Sequence, residues 1–344
     1  MKEIIEKSTG SQVKEIIKLH GDASYRIYYR VVFESGKTNI VMQMPVGKSS
    51  ASEEIKNFKG AHKELPFINV DKYLSSLGLK VPKIESYLEQ EHLMILEDLG
   101  DDLLVKYVKN GDEMAIEKWY KKAIELLVEL QTKAIKSKKD ECVALQRSFD
   151  PYLLNWEFDH FREYLIEARL DRKMADEDRR IFEEATRKIT DEIIKIPYGF
   201  THRDFQSRNL IVLKGEELAL IDFQDALLGP CVYDLVALTR DSYIDFKWET
   251  VEGLINYYHQ LGKKNKIFNV DLEELTGWYH LVTLQRKMKD SGRFVYIDRV
   301  KKNPNFLQYI PTSLGYVKNA IVRSGNGAIA RMFEMLKKYV PEWQ

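Results

Sequence analysis

The sequence predicts an α+β chain of two lobes, a small mixed sheet-and-helix lobe over residues 1–99 followed by a mainly helical lobe over residues 100–344. Three observations predict it. At 344 residues the chain exceeds what one ordinary core holds, and its 44% hydrophobic content is enough to bury two. Its first hundred residues alternate aromatic and β-branched runs with turns. From Asp112 onward apolar positions recur at helical spacing, interrupted by one pair of short strands.

In the first lobe YRIYYRVVF (25–33) reads as a strand, SGK as a turn and TNIVMQM as a second strand ended by Pro45. Residues 52–64 and 68–77 read as short helices. VPKIESYL and HLMILEDL read as two further strands joined at 89–91. In the second lobe Ile116, Trp119, Ala123, Leu127 and Leu130 share one helix face. Asp150 and Pro151 have the order of an N-cap and a first helical proline, opening a helix that runs to Leu170. Another helix covers 177–195 and stops at Pro197. The next stretch breaks the rule: FTHRDFQSRN is loop-like, and NLIVL and ELALIDF are short strands around the turn KGEE. Four more helical stretches follow Trp248, and no internal repeat is visible.

Charge is balanced, with 53 basic and 53 acidic side chains, so there is no global field to attract nucleic acid or an anionic membrane. No apolar run reaches the length of a membrane span or a signal sequence. Cys142 and Cys231 lack metal-site spacing and read as reduced, buried thiols. A cytoplasmic monomer acting on a small molecule is expected.

The chemistry-bearing motif is His202-Arg203-Asp204, four intervening residues, Asn209, a strand pair, and Asp222-Phe223. Phosphoryl transfer needs a carboxylate to orient the acceptor hydroxyl and oxygen ligands for Mg²⁺. Asp204 suits the first task, and Asn209 with Asp222 the second. The turn at 214–217 folds the strands back and returns Asp222 beside Asn209. One such triplet alone would read as polar loop caps; the ordered set between short strands reads as a catalytic centre, and the lobe layout is that of a protein-kinase-like fold.

HRDFQSRNLIVL and LALIDFQDALLGPCVYDLVALTRDSYID resemble the aminoglycoside phosphotransferase and choline kinase superfamily. GDASYRIYYRV, LMILEDLGDD and LQRKMKDSGRF extend the resemblance over nearly the whole chain. Within the superfamily the chain looks most like the bacterial anomeric kinases of N-acetylmuramate and N-acetylglucosamine in cell-wall recycling. The resemblance implies ATP and Mg²⁺ as cofactors, with His202 and Asp234 bracing the catalytic loop. It also implies a hinge from Glu97 to Leu99 that binds adenine through its backbone, and a phosphate-covering loop at 21–25 with Gly21, Ala23 and Ser24. Each has a plainer rival: the 21–25 segment as a turn, and ILEDLG as an ordinary strand end. Asp225 faces metal or substrate, or caps a turn; Arg208 meets phosphate or a local carboxylate.

The rest of the chain offers decoys and one departure. Gly36-Lys37-Thr38 and Gly47-Lys48-Ser49 look like Walker A ends, but the glycine required five residues earlier is Val31 or Met42. Kinases place a phosphate-pairing lysine on the third strand, and here Met42 stands there. The sugar-kinase branch resembled here also lacks it, and Arg26 and the 21–25 backbone are candidate replacements. The aromatic stretch 151–164 reads first as core, with Glu157, Asp159 and His160 as possible sugar contacts. Gln285, Arg286 and Lys287 read first as a solvated helix face, with substrate contact open. The rivals to an amino-sugar kinase are a sister kinase acting on choline, an aminoglycoside or another sugar, and a non-catalytic ATP-binding module.

Overall fold

The computed structural model describes residues 1–19, 26–45, 64–109, 111–324 and 326–344. The expected phosphate loop (Gly21, Ala23, Ser24), nearly all of the expected helix at 52–64 and the Gly47-Lys48-Ser49 decoy lie outside them. The chain forms two compact units, Met1–Leu103 with Asn209–Asp225, and Leu104–Arg208 with Ala226–Gln344. The small unit carries a sheet and the large one is mainly helical, the α+β class expected.

In the small unit, α1 (Lys2–Thr9) and β1 (Val13–Lys18) precede β2 (Ile27–Phe33) and β3 (Thr38–Gln43). They are followed by α2 (Pro66–Ser76), β4 (Ile84–Leu88) and β5 (Leu93–Glu97). The strands form one antiparallel sheet in the order β1-β2-β3-β5-β4. Ile5 of α1 and Val13, Val31, Phe33, Val41, Leu93 and Ile95 of the sheet close one core. The β2–β3 register sets Tyr28 opposite Met42. Opposed residues share a sheet face, so the position that lacks a lysine looks out on the same side as Tyr28. At the far end of β5, Arg30 grips both Asp98 (Nε–Oδ2 2.6 Å, Nη2–Oδ1 3.0 Å) and Asp101 (Nη1–Oδ2 2.5 Å, Nη2–Oδ1 2.8 Å).

The large unit begins with α3 (Leu104–Val108) and α4 (Glu113–Ala134). The expected α4 face is buried at Trp119, Ala123, Leu127 and Leu130. Asp150 caps α5 (Pro151–His160) by accepting the Leu153 amide at 2.7 Å. The helix expected to run to Leu170 does continue, but Phe161–Ala168 is wound as a π-helix. Next come α6 (Asp176–Ile193) and β6 (Tyr198–Thr201). Phe200 and Thr201, expected in a loop, are strand residues. β6 pairs with the later β9, so a partner distant in sequence decides its state.

The intervening hairpin, β7 (Leu210–Val212) and β8 (Leu218–Leu220), belongs to the small unit. The chain then returns through β9 (Leu227–Pro230), α7 (Tyr233–Thr239), α8 (Trp248–Lys264), α9 (Leu272–Lys301), α10 (Ile310–Ser324) and α11 (Gly327–Leu336). The last four are the four helical stretches expected after Trp248.

α9 is buried on most sides from Val282 to Ile297, as befits a helix at the centre of a core. Gln285, Arg286 and Lys287 are therefore not on a solvated face: each is at most 1% exposed. The periodicity of charges alone could not distinguish a solvated face from a buried network. Both cysteines are buried and unlinked. Among the described residues no helix is long and apolar enough to cross a membrane.

Asp71 of α2 is buried, and no hydrogen-bond partner reaches its Oδ1 among the described residues. Burial pushes its carboxyl up to about 7 against the pull of Lys72. The folded state therefore holds this proton more tightly than the unfolded chain, whose Asp titrates near about 4. Asp71 costs stability as pH rises between those values. Asp71→Asn should raise the urea midpoint at pH 8, with the difference from wild type shrinking towards pH 5.

Candidate active site

The expected site residues are shared between the two units, and each group has its own geometry. In the large unit, His202-Arg203-Asp204 follows β6. The turn has an unusual backbone: Arg203 has φ 74°, a left-handed conformation costly for a non-glycine residue. Several partners fix it. Asp234 of α7 accepts the amides of His202 (2.6 Å) and Arg203 (3.0 Å). The Arg203 guanidinium donates to Glu157 of α5 at 3.0 Å, both side chains being at most 4% exposed. The Arg203 carbonyl accepts from Arg286 of α9 at 2.6 Å. Asp241 holds the loop further along, accepting from the Ser207 amide (3.2 Å) and hydroxyl (2.6 Å).

Asp204 stands against α9, with Arg286 Nη2 at 3.5 Å. Burial alone would raise its carboxyl, but Lys289, Arg286, Arg203 and His202 outweigh it and hold Asp204 below the ordinary carboxylate value. It is a carboxylate kept ionised. Lys289 and Lys287 lie 3.5 and 2.8 Å from Asp290. Glu157, held back from the site by the sequence reading, takes the Gln285 amide as well as Arg203. The signal that finds it is buried charge in α5, visible only once α9 is placed. His160 is packed between Trp156 (5.1 Å, stacked), Tyr164 (4.6 Å) and Tyr296 (5.3 Å), forming an aromatic wall. Asp159 pairs with Arg162 at 3.1 Å. Among the described residues no carboxylate pairs with Arg208: its guanidinium lies 3.5 Å from the Tyr243 ring centroid and donates to the Tyr309 hydroxyl at 3.1 Å.

In the small unit the β7–β8 hairpin does what its turn predicts. The Ile221 amide donates to the Asn209 carbonyl at 3.1 Å, so Asp222 follows directly on the residue paired with Asn209. Asp222 is also left-handed, with φ 63°. Its Oδ1 accepts from Gln224 at 2.9 Å and lies 3.7 Å from Arg26. Burial works against the charge of Arg26, but Tyr28, Asp222 and Asp225 more than offset it. Phe223 packs on Phe67 of α2, with centroids 5.0 Å apart. Asn209 and Asp222 supply an amide and a carboxylate oxygen, hard donors that fit Mg²⁺, which takes its remaining ligands from water and phosphate. No cluster of three or more His, Cys, Asp or Glu competes as a metal site among the described residues. Glu97 exchanges backbone and side-chain contacts with Lys83, its amide donating at 2.8 Å and its carboxylate accepting at 3.2 Å. Leu99 is half-buried just beyond β5.

A sequence profile described as the phosphotransferase enzyme family matches residues 15–268. The chain belongs to this phosphotransferase family. With the kinase-named relatives it resembles, this makes the chain a small-molecule kinase. The N-acetylmuramate/N-acetylglucosamine kinase of Neisseria meningitidis serogroup B is 26% identical to this phosphotransferase over 93% of this chain and 89% of that protein. The protein of the same name from Pseudomonas putida is 25% identical over 88% and 82%. Among solved structures, a choline kinase from Streptococcus pneumoniae gives a TM-score of 0.62 at 16% identity, covering 96% of this chain and 99% of that one. That likeness bears on the fold, and the kinase-like α+β architecture expected from the sequence holds.

Removing Glu157 tests how the phosphotransferase's His202–Asp204 turn is held. Glu157→Ala leaves the Arg203 guanidinium buried without its carboxylate, a change that costs about 3–5 kcal/mol in comparable pairs. The urea midpoint should fall accordingly, and Glu157→Gln, which keeps one acceptor oxygen, should fall less.

Proposed function

We propose that this phosphotransferase moves the γ-phosphoryl group of ATP to the anomeric hydroxyl of an N-acetylated amino sugar, N-acetylmuramate or N-acetylglucosamine. It would act in the cytoplasm, as part of the recycling of cell-wall sugars. The observation that carries the reading is similarity, over most of the chain, to kinases named for these two sugars. The surround of Asp204, where Lys289, Arg286 and Arg203 hold the carboxylate ionised, suits a base for the acceptor hydroxyl. The presence of Asp204, Asn209 and Asp222 speaks against a non-catalytic ATP-binding module.

Asp204 would take the proton of the anomeric hydroxyl as that oxygen bonds to the γ-phosphorus. The bond from phosphorus to the bridging oxygen breaks, ADP leaves, and Asp204 returns its proton to water. Mg²⁺ offsets charge on the phosphates when bound, and Asn209 and Asp222 would hold it. Arg26 would orient Asp222 and place positive charge on the sheet face where Met42 leaves no lysine. An anomeric hydroxyl is more acidic than other sugar hydroxyls, so one aspartate kept ionised is an adequate base. Asp225 would add to the field on Arg26, and the backbone from Glu97 to Leu99 would receive adenine.

Asp204→Asn should lower kcat by about 10²–10⁴-fold, the range of acid–base contributions, while calorimetric ATP affinity stays near wild type. A residual rate above about a tenth would remove Asp204 from the role of base. The acceptor is tested by phosphorus NMR, which should show a phosphate coupled to the anomeric proton, and by a 1-deoxy sugar, which should not react. Turnover of choline or an aminoglycoside with no turnover of either amino sugar would leave a kinase of another acceptor.

A further inference from the structure

We propose that Arg293 is an anion subsite for the acceptor, reading the carboxylate of the lactyl ether that distinguishes N-acetylmuramate from N-acetylglucosamine; the inference rests on the amino-sugar reading above. On α9, positions 286, 289, 290 and 293 fall on one side of the helix. The line begins at Asp204, which Arg286 meets at 3.5 Å. Lys289 and Asp290 come one turn later. There Asp290 is shared among Arg286 (3.9 Å), Lys287 (2.8 Å) and Lys289 (3.5 Å), so these cations already face a carboxylate.

Arg293 comes two turns after Arg286, about 10 Å along the axis, and is different. No carboxylate among the described residues pairs with it. Its guanidinium lies 4.6 Å from the Tyr296 ring centroid, and its Nη1 is buried with no hydrogen-bond partner among them. The residue as a whole is partly exposed, which leaves its charge open to an anionic or strongly polar ligand.

The surroundings suit a sugar acid. Tyr296 stands edge-on to Tyr164 (5.0 Å, 88°) and beside His160, on which Trp156 stacks. This aromatic wall joins Arg293 to α5, whose Glu157 holds the turn bearing Asp204. Gly292 makes the approach possible: a Cβ there would lie 2.6 Å from the His160 carbonyl oxygen. A pyranose whose anomeric hydroxyl meets Asp204 can extend a carboxylate along the helix towards Arg293. A guanidinium binds a carboxylate through paired N–H donors, a geometry that a neutral sugar lacking the group cannot use.

The test compares kcat/KM for N-acetylmuramate and N-acetylglucosamine in wild type, Arg293→Met and Arg293→Lys. The ratio of acid to neutral sugar is independent of how much of a variant folds. Arg293→Met should lower that ratio about 10- to 100-fold, the scale of one charge-assisted contact, and Arg293→Lys should recover part of it. An unchanged ratio, or a rise in KM for ATP with the ratio kept, overturns the role of Arg293 alone. A wild-type enzyme that phosphorylates neither sugar overturns the functional reading, and the subsite with it.

Discussion

Glu157 and Arg203 form an ion pair with almost no exposed surface, and the turn bearing Asp204 depends on it. Arg203 is in a left-handed conformation that its own side chain does not favour. The backbone keeps that shape because its amide, carbonyl and guanidinium are each held from a different helix: α7 through Asp234, α9 through Arg286 and α5 through Glu157. Charges buried this deeply are stable only when every one is compensated. The same network that positions Asp204 therefore dictates which residues the cores of α5 and α9 contain.

Much of this was legible in sequence because it follows short-range rules. The antiparallel strands after Tyr25, the N-cap of α5, the face of α4 and the hairpin that returns Asp222 to Asn209 are all set by local patterning and turn chemistry. What was not legible depends on distant partners. β6 is a strand only because β9 pairs with it. The charged run at 285–287 looks solvated until α9 is found enclosed on most sides. The contacts of Arg208 come from two tyrosines 35 and 101 positions later, which no local pattern announces. The π-wound stretch after α5 has no pattern of its own; it adjusts the helix where α9 packs closely at Gly292.

The departure from the usual kinase pattern is also coherent in three dimensions. Where a lysine is expected, Met42 is buried at 1% exposure. Its neighbour across the sheet is Tyr28, and two residues before Tyr28 stands Arg26, within reach of Asp222. Arg26, just before β2, sets a positive charge 3.7 Å from the carboxylate that follows the hairpin.

The clamp of Arg30 on Asp98 and Asp101 has a consequence for how a ligand is received. One guanidinium fixes the chain just past β5 with four contacts to two carboxylates. The conformational entropy of that segment is lost when the protein folds. Were a base to dock on its backbone, as proposed for adenine, it would meet donors and acceptors already aimed, and its affinity would not be diminished by having to order them.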